Sequence, residues 1–194
     1  MLASGSKIRA DLLSAAGVDF QVIPADVDEP RIIADLQKDR QLPSQIASTL
    51  AFEKARMVSD VNAGVLVLGA DQVLVCDHRL YQKPKTLVDA KNDLLSLRGR
   101  EHILMSAVSL VRDGVQVWSM VSKAHLTMRD FSDAFLDDYV STQGADLLTT
   151  VGCYKLEGAG SALFSKVDGD YFTILGLPLL DVLACLRNFG ELPS

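Results

Sequence analysis

Asp71 lies inside an apolar run, Val65-Leu-Val-Leu-Gly-Ala-Asp-Gln-Val-Leu-Val-Cys76, that otherwise reads as a buried strand. A carboxylate placed there without a partner would cost several kcal/mol. A cationic side chain or a bound metal must therefore meet it, and Lys83, across a turn at Asp77-His78-Arg79, is the nearest candidate. The alternative is that Gly69-Ala70-Asp71 marks a strand end and leaves the carboxylate in solvent. Near the start of the chain, Ser4-Gly-Ser-Lys-Ile-Arg9 leads into a helix with Ser6 as its N-cap. Free amides, two hydroxyls and two cations at one helix start suit an anion, most economically a phosphate. The competing reading is a solvated helix end, where Lys7 and Arg9 oppose the macrodipole. Asp26-Val-Asp-Glu-Pro30 gathers carboxylates on an expected loop. Such a cluster is either a solvated turn or a place where one or two oxygens hold Mg²⁺ while waters and ligand phosphates complete the octahedron. Lys54, four residues after Leu50, borders the apolar stripe of a helix and can reach inward along its own stem.

The elements that must position these groups follow from periodicity. Ile8, Leu12, Leu13 and Ala16 share a face of the first helix, which Gly17 ends. Phe20 to Pro24 alternates as a short strand. Pro43-Ser44 opens a helix carrying Ile46, Leu50, Ala51, Ala55 and Val58 at helical spacing, and Thr86-Leu-Val-Asp89 reads as a capping box for a helix burying Leu87, Ala90, Leu94 and Leu97 and stopping at Gly99. His102–Arg112 and Val115–Met128 are strands joined by Asp113-Gly114, a strong hairpin signal. Ser132 caps a further helix, strands are expected near Ala162–Val167 and Tyr171–Leu175, and Gly176-Leu-Pro-Leu179 begins the last helix, closed by Gly190. Helices alternating with strands, then a hairpin and more strands, predict an α/β fold: a mixed central sheet flanked by helices, in two lobes around a cleft, spanning residues 1–194 as one domain.

Composition narrows the partners. A net charge of −6 with no basic block argues against nucleic acid or an anionic membrane surface, so an anionic ligand must be met locally. Cys76, Cys153 and Cys185 are far apart and show neither a disulfide framework nor zinc spacing, which fits a reducing cytoplasm. The longest apolar run is broken by Asp71 and Gln72 and is too short to span a bilayer, and Met1-Leu-Ala-Ser lacks a signal sequence's basic flank. There is no P-loop, and GAGSAL at Gly158 lacks the order of a dinucleotide fingerprint.

Leu2-Ala-Ser-Gly-Ser-x-x-Arg9, Asp26-Val-Asp-Glu29, Glu53-Lys-Ala55, Gly69-Ala-Asp-Gln72, Lys83-Pro84, Gly99-Arg-x-His102, Tyr154-x-x-Glu-Gly158 and Gly176-Leu-Pro-Leu179 together resemble the Maf family, related in fold to the ITPase group. The resemblance covers nearly the whole chain in the family's order. It implies hydrolysis of a nucleoside triphosphate between the α and β phosphates, giving a monophosphate and pyrophosphate, with Mg²⁺ or another divalent ion such as Mn²⁺ or Co²⁺. It also implies a homodimer. On this resemblance Asp71 is the proton acceptor and Glu29 its metal-side or water-positioning partner, both being metal ligands, while Ser6, Arg9, Lys54 and Lys83 contact the phosphates. Relatives acting on dTTP and UTP have Arg where this chain has Ile8, Thr at Gln72 and Gln at Glu157. The Gln72 and Glu157 choices look instead like the branch acting on 7-methyl-GTP, and a carboxylate suits the two donors on the guanine edge. Ile8 departs from both branches, since the second carries a tryptophan there, and Ser106-Ala107 replaces the usual Thr-Gly. A different class of function is a nucleotide-binding regulator of cell division or septum formation that no longer turns over.

Overall fold

Gly69 sets the spacing between the central strand and the longest helix. A Cβ there would lie 2.1 Å from the Ala51 carbonyl oxygen and 2.8 Å from Ala55, so only glycine admits the helix backbone at this distance. The computed structural model describes residues 1–193. In chain order its elements are α1 (Lys7–Ala15), α2 (Glu29–Lys38), α3 (Pro43–Ser59), β1 (Val67–Cys76), β2 (Arg79–Tyr81), α4 (Leu87–Leu97), β3 (Glu101–Arg112), β4 (Val115–Met128), α5 (Asp133–Gln143), β5 (Phe164–Asp168), α6 (Tyr171–Ile174) and α7 (Leu179–Asn188). The strands form one sheet in the order β2-β1-β3-β4-β5. β1 pairs antiparallel with β2, Leu74 facing Tyr81, and β4 antiparallel with β5, Leu126 facing Val167. Parallel bridges from Leu2 to Val22 and to Leu68 make the pairing mixed, as expected.

The chain divides into two compact units: residues 1–72, 105–122 and 170–194, and residues 73–104 and 123–169. In the first unit Leu2, Leu13, Leu66, Leu68, Val108 and Leu110 pack with Leu177, Leu179 and Val182. The second buries Leu74, Leu94, Leu97, Leu104, Leu126 and Leu136. Asp113 and Gly114, at φ 53° and 74°, form the turn between β3 and β4 that the sequence predicts.

Four expectations need correction. The acidic stretch at Asp26–Pro30 is not all loop: Asp28 caps α2 by accepting from the Arg31 amide at 3.1 Å, and Pro30 sits in its first turn, where no amide donor is needed. Phe20–Pro24 forms a single bridge at Val22 rather than a strand. Tyr171–Ile174 is a helical turn because the Asp170 carboxylate accepts from the Thr173 amide at 2.7 Å. Leu87 is 40% exposed although it shares a helix face with Ala90, Leu94 and Leu97, because it is the first residue of α4, one turn before the buried stripe begins.

In the second unit His102 is buried, its Nε2 hydrogen-bonded to the Tyr154 hydroxyl at 2.7 Å while Nδ1 has no partner. A charged imidazole needs acceptors at both nitrogens, and burial lowers its pKa from 6.5 to about 4. The unfolded chain therefore binds the proton more tightly, so this stability is complete above pH 6.5 and is lost as pH falls toward 4. Urea unfolding should show about 2 kcal/mol less stability at pH 5 than at pH 7 from this group alone. In His102→Gln that difference should vanish, and its persistence would reassign the pH dependence to other groups.

Candidate active site

In the first unit the close approach that Gly69 permits brings α3 against β1. Gly69 and Asp71 are two residues apart on a strand and so share a face. On α3 the buried positions are Ile46, Ala47, Leu50, Ala51, Lys54, Ala55 and Val58, which puts Lys54 inside the stripe rather than at its border. Its Nζ lies 2.6 Å from Asp71 Oδ1. The same ammonium lies 2.7 Å from Glu29 Oε1. Lys54 is thus the cation that meets Asp71, and the expectation that Lys83 would do so is corrected. Lys83 is an exposed residue of the second unit, after β2.

Glu29 reaches Lys54 from the first residue of α2, where a carboxylate is also favoured by the helix dipole. The three groups differ in burial. The Lys54 and Asp71 side chains are each 10% exposed, whereas that of Glu29 is 46% exposed, so one carboxylate is sealed and the other faces solvent. Burial raises the Asp71 pKa above the ordinary carboxylate value, against the opposing pull of Lys54 and Arg9. A carboxylate held this way is a stronger base than a free one.

Arg9 is not the exposed first-turn cation that the sequence suggests. It is 8% exposed, and its Nε donates to the Gly176 carbonyl at 2.8 Å while Nη1 donates to Ser4 Oγ at 3.0 Å and to the Ala70 carbonyl at 2.9 Å. Burial lowers its pKa, and the nearby charges of Asp71 and Glu29 raise it. Three of five donors are engaged, so the fork has a fixed orientation. Ser6 occupies the N-cap of α1, as expected, but its side chain makes no cap bond. Ile8 is half-buried in the first turn of the same helix.

Gln72 follows Asp71 on β1 and points to the opposite face. There its Nε2 donates to Ser106 Oγ at 2.9 Å and to the carbonyls of Thr173 and Ile174 at 3.1 and 3.0 Å. Ser106 and the Thr173–Gly176 backbone are the positioning groups that sequence reasoning misses, and Ser4, expected as an anion-facing hydroxyl, instead accepts from Arg9. Each stands within or beside a motif of the resemblance, yet nothing in residue type signals a carbonyl's partner. Glu157, like Lys83, belongs to the second unit and is exposed, in the segment after Tyr154.

Among the described residues no three His, Cys, Asp or Glu side chains gather as a metal cage. Glu29 and Asp71 nevertheless converge on one cation, the Lys54 ammonium, and two carboxylate oxygens completed by water and phosphate are a donor set that suits Mg²⁺. No helix among the described residues is long and apolar enough to cross a membrane.

A family profile described as Maf-like protein matches residues 1–189. The chain is 48% identical over 192 residues to a nucleoside triphosphate pyrophosphatase of Paramagnetospirillum magneticum, covering 99% of each chain. It is 45% identical over 192 residues to a 7-methyl-GTP pyrophosphatase of Mesorhizobium japonicum, covering 99% of this chain and 96% of that one. To a nucleoside triphosphate pyrophosphatase of Roseobacter denitrificans it is 47% identical over 195 residues, covering 100% and 97%.

Proposed function

The chain belongs to the Maf family, and from that premise we propose that it hydrolyses a nucleoside triphosphate to the monophosphate and pyrophosphate, with Asp71 taking the proton from water. The observation that carries this reading is the Lys54 ammonium bonded at once to Asp71 and Glu29. One cation holding two carboxylates, one sealed and one open, is a costly arrangement for stability alone, because Lys54 and Asp71 must both be desolvated. It is useful where a polyphosphate arrives, since its oxygens can share Lys54 and release the carboxylates for chemistry. Arg9 and Ser6 supply further phosphate contacts, with the Arg9 fork held in place by Ser4, Ala70 and Gly176.

In this mechanism Asp71 accepts the proton of the attacking water as the bond between the α-phosphorus and the bridging oxygen breaks and pyrophosphate leaves with the electron pair. Glu29 positions that water or meets the cation. A divalent ion, Mg²⁺ by its preference for oxygen donors, would be held by Glu29 and Asp71 and would neutralise charge on the phosphates. Within the first unit, Gln72 and Ile8 are assigned to choice of base.

The test is pyrophosphate release across 7-methyl-GTP, GTP, dTTP, UTP and CTP with Mg²⁺. Purine substrates should exceed the pyrimidines in kcat/KM by at least about tenfold, the worth of one hydrogen bond near 1.4 kcal/mol. Ile8 offers no ring to stack on a cationic base, a contact worth about 0.5 to 2 kcal/mol. Hence 7-methyl-GTP and GTP should fall within about tenfold of one another. A preference for dTTP or UTP would overturn the base assignment while leaving the catalytic one standing.

A further inference from the structure

The Gln72 amide is held by more acceptors than it has hydrogens. Ser106 Oγ donates to the Thr173 carbonyl at 2.7 Å, so its hydroxyl hydrogen is spent and only its lone pairs face Gln72. The Thr173 and Ile174 carbonyls can accept and nothing else. All three partners therefore demand an N–H, and the two hydrogens of Gln72 Nε2 are shared among them. Turned over, the amide would set its oxygen against two carbonyl oxygens. Ser106 and Thr173 are fully buried, so water cannot replace either one, and the Thr173 hydroxyl is itself 3.0 Å from Ser122 Oγ. No donor of Gln72 remains free, and its Oε1 is the one polar atom of the half-buried side chain without a partner among the described residues.

The same short segment holds Arg9, since the Gly176 carbonyl accepts from Arg9 Nε. The phosphate-side guanidinium and the Gln72 amide are thus anchored within four residues of one another on the backbone. A side chain fixed relative to the phosphate anchor, with an acceptor as its only free polar atom, can read donors and only donors.

We propose that Ser106 is a positioning residue whose hydroxyl, spent on Thr173, pins the Gln72 amide so that Gln72 presents a lone acceptor and selects bases carrying an N–H donor opposite it. This rests on the reading of Gln72 as a base-contacting residue. It adds the polarity of that contact and the residue that sets it. In Ser106→Ala the amide loses one of its three acceptors and can rotate, so Oε1 is no longer held toward the base.

The experiment compares kcat and KM for GTP with those for purine riboside triphosphate, whose base edge carries acceptors but no N–H donor. The intact protein should favour GTP by at least about tenfold in kcat/KM, chiefly through KM. Ser106→Ala should reduce that ratio to below about threefold, and Ser106→Thr, which keeps the hydroxyl, should restore it. A merely structural role would change both substrates alike and leave the ratio intact. If Ser106→Ala keeps the ratio while Gln72→Ala abolishes it, the positioning role is wrong and the base contact stands. If neither variant changes the ratio, Gln72 does not read the base. Absence of discrimination in the intact protein overturns the proposal outright. Thermal unfolding of each variant identifies any that fails to fold. Should Ser106→Ala be one, the Ser106→Thr and Gln72→Ala ratios decide, with equal ratios in all three folded proteins counting against the proposal.

Discussion

Asp71→Asn is expected to reduce pyrophosphate release by about three orders of magnitude, within the range that a positioned general base contributes. The substitution preserves shape and removes only the ability to accept a proton as an anion. Lys54 keeps its bond to Glu29, so the site has no reason to collapse. Because burial pushes the Asp71 pKa upward, the acid limb of the pH–rate profile should lie above the ordinary carboxylate range in the intact protein. Steady-state rates with Mg²⁺ from pH 4 to 9 check both points. A variant that retained a tenth of the normal rate, with the same acid limb, would remove Asp71 from the role of base.

Lys54→Met carries the second large effect, and it appears in stability as well as in rate. Met fills the stem's place in the α3 stripe but leaves Asp71 buried without its close counter-ion. Breaking a buried pair in this way costs about 3 to 5 kcal/mol, and the lower end applies because Arg9 still lies near the carboxylate. For a chain of this size about 3 kcal/mol corresponds to roughly 6 to 12 °C in Tm. Activity should be lost together with the phosphate contact. The double variant Lys54→Met/Asp71→Leu should recover most of the lost Tm, since an apolar pair of similar volume avoids both desolvation costs, yet remain inactive. Calorimetry on Lys54→Met, Asp71→Leu and the double variant checks this. Additive losses of stability in the double variant would show that Lys54 and Asp71 are not a coupled pair.

How far the site was legible depended on whether the signal was local. An ionisable residue in an apolar run is conspicuous, so Asp71 and its need for a cation stood out from the sequence. Which cation answered it did not, because periodicity says which residues share a face and not which helix lies against that face. Lys83 is near in sequence, whereas Lys54 is near in space because Gly69, Ala51 and Ala55 have almost nothing between their backbones. A capping box at Thr86 and an Asp-Gly turn are local chemistry and were read correctly. Asp28 stands before Glu29-Pro30 as a cap should, but among several acids its capping role is hidden in the sequence, and α2 with it. Tyr171–Leu175 is aromatic and β-branched like a strand, and one hydrogen bond from the Thr173 amide to Asp170 decides otherwise. Arg9 was identified as an anion contact but given the wrong surroundings, since its partners are a serine hydroxyl and carbonyls far along the chain.

In the proposed reaction, water activated beside Asp71 cuts between the first and second phosphates. ³¹P NMR of GTP turnover with Mg²⁺ observes that step directly. The expected spectrum shows GMP and pyrophosphate growing together with no GDP or orthophosphate, and growth slowed about a thousandfold when Asp71→Asn replaces the intact protein. GDP and orthophosphate as products, or a nucleotide that binds and persists unchanged, would contradict it.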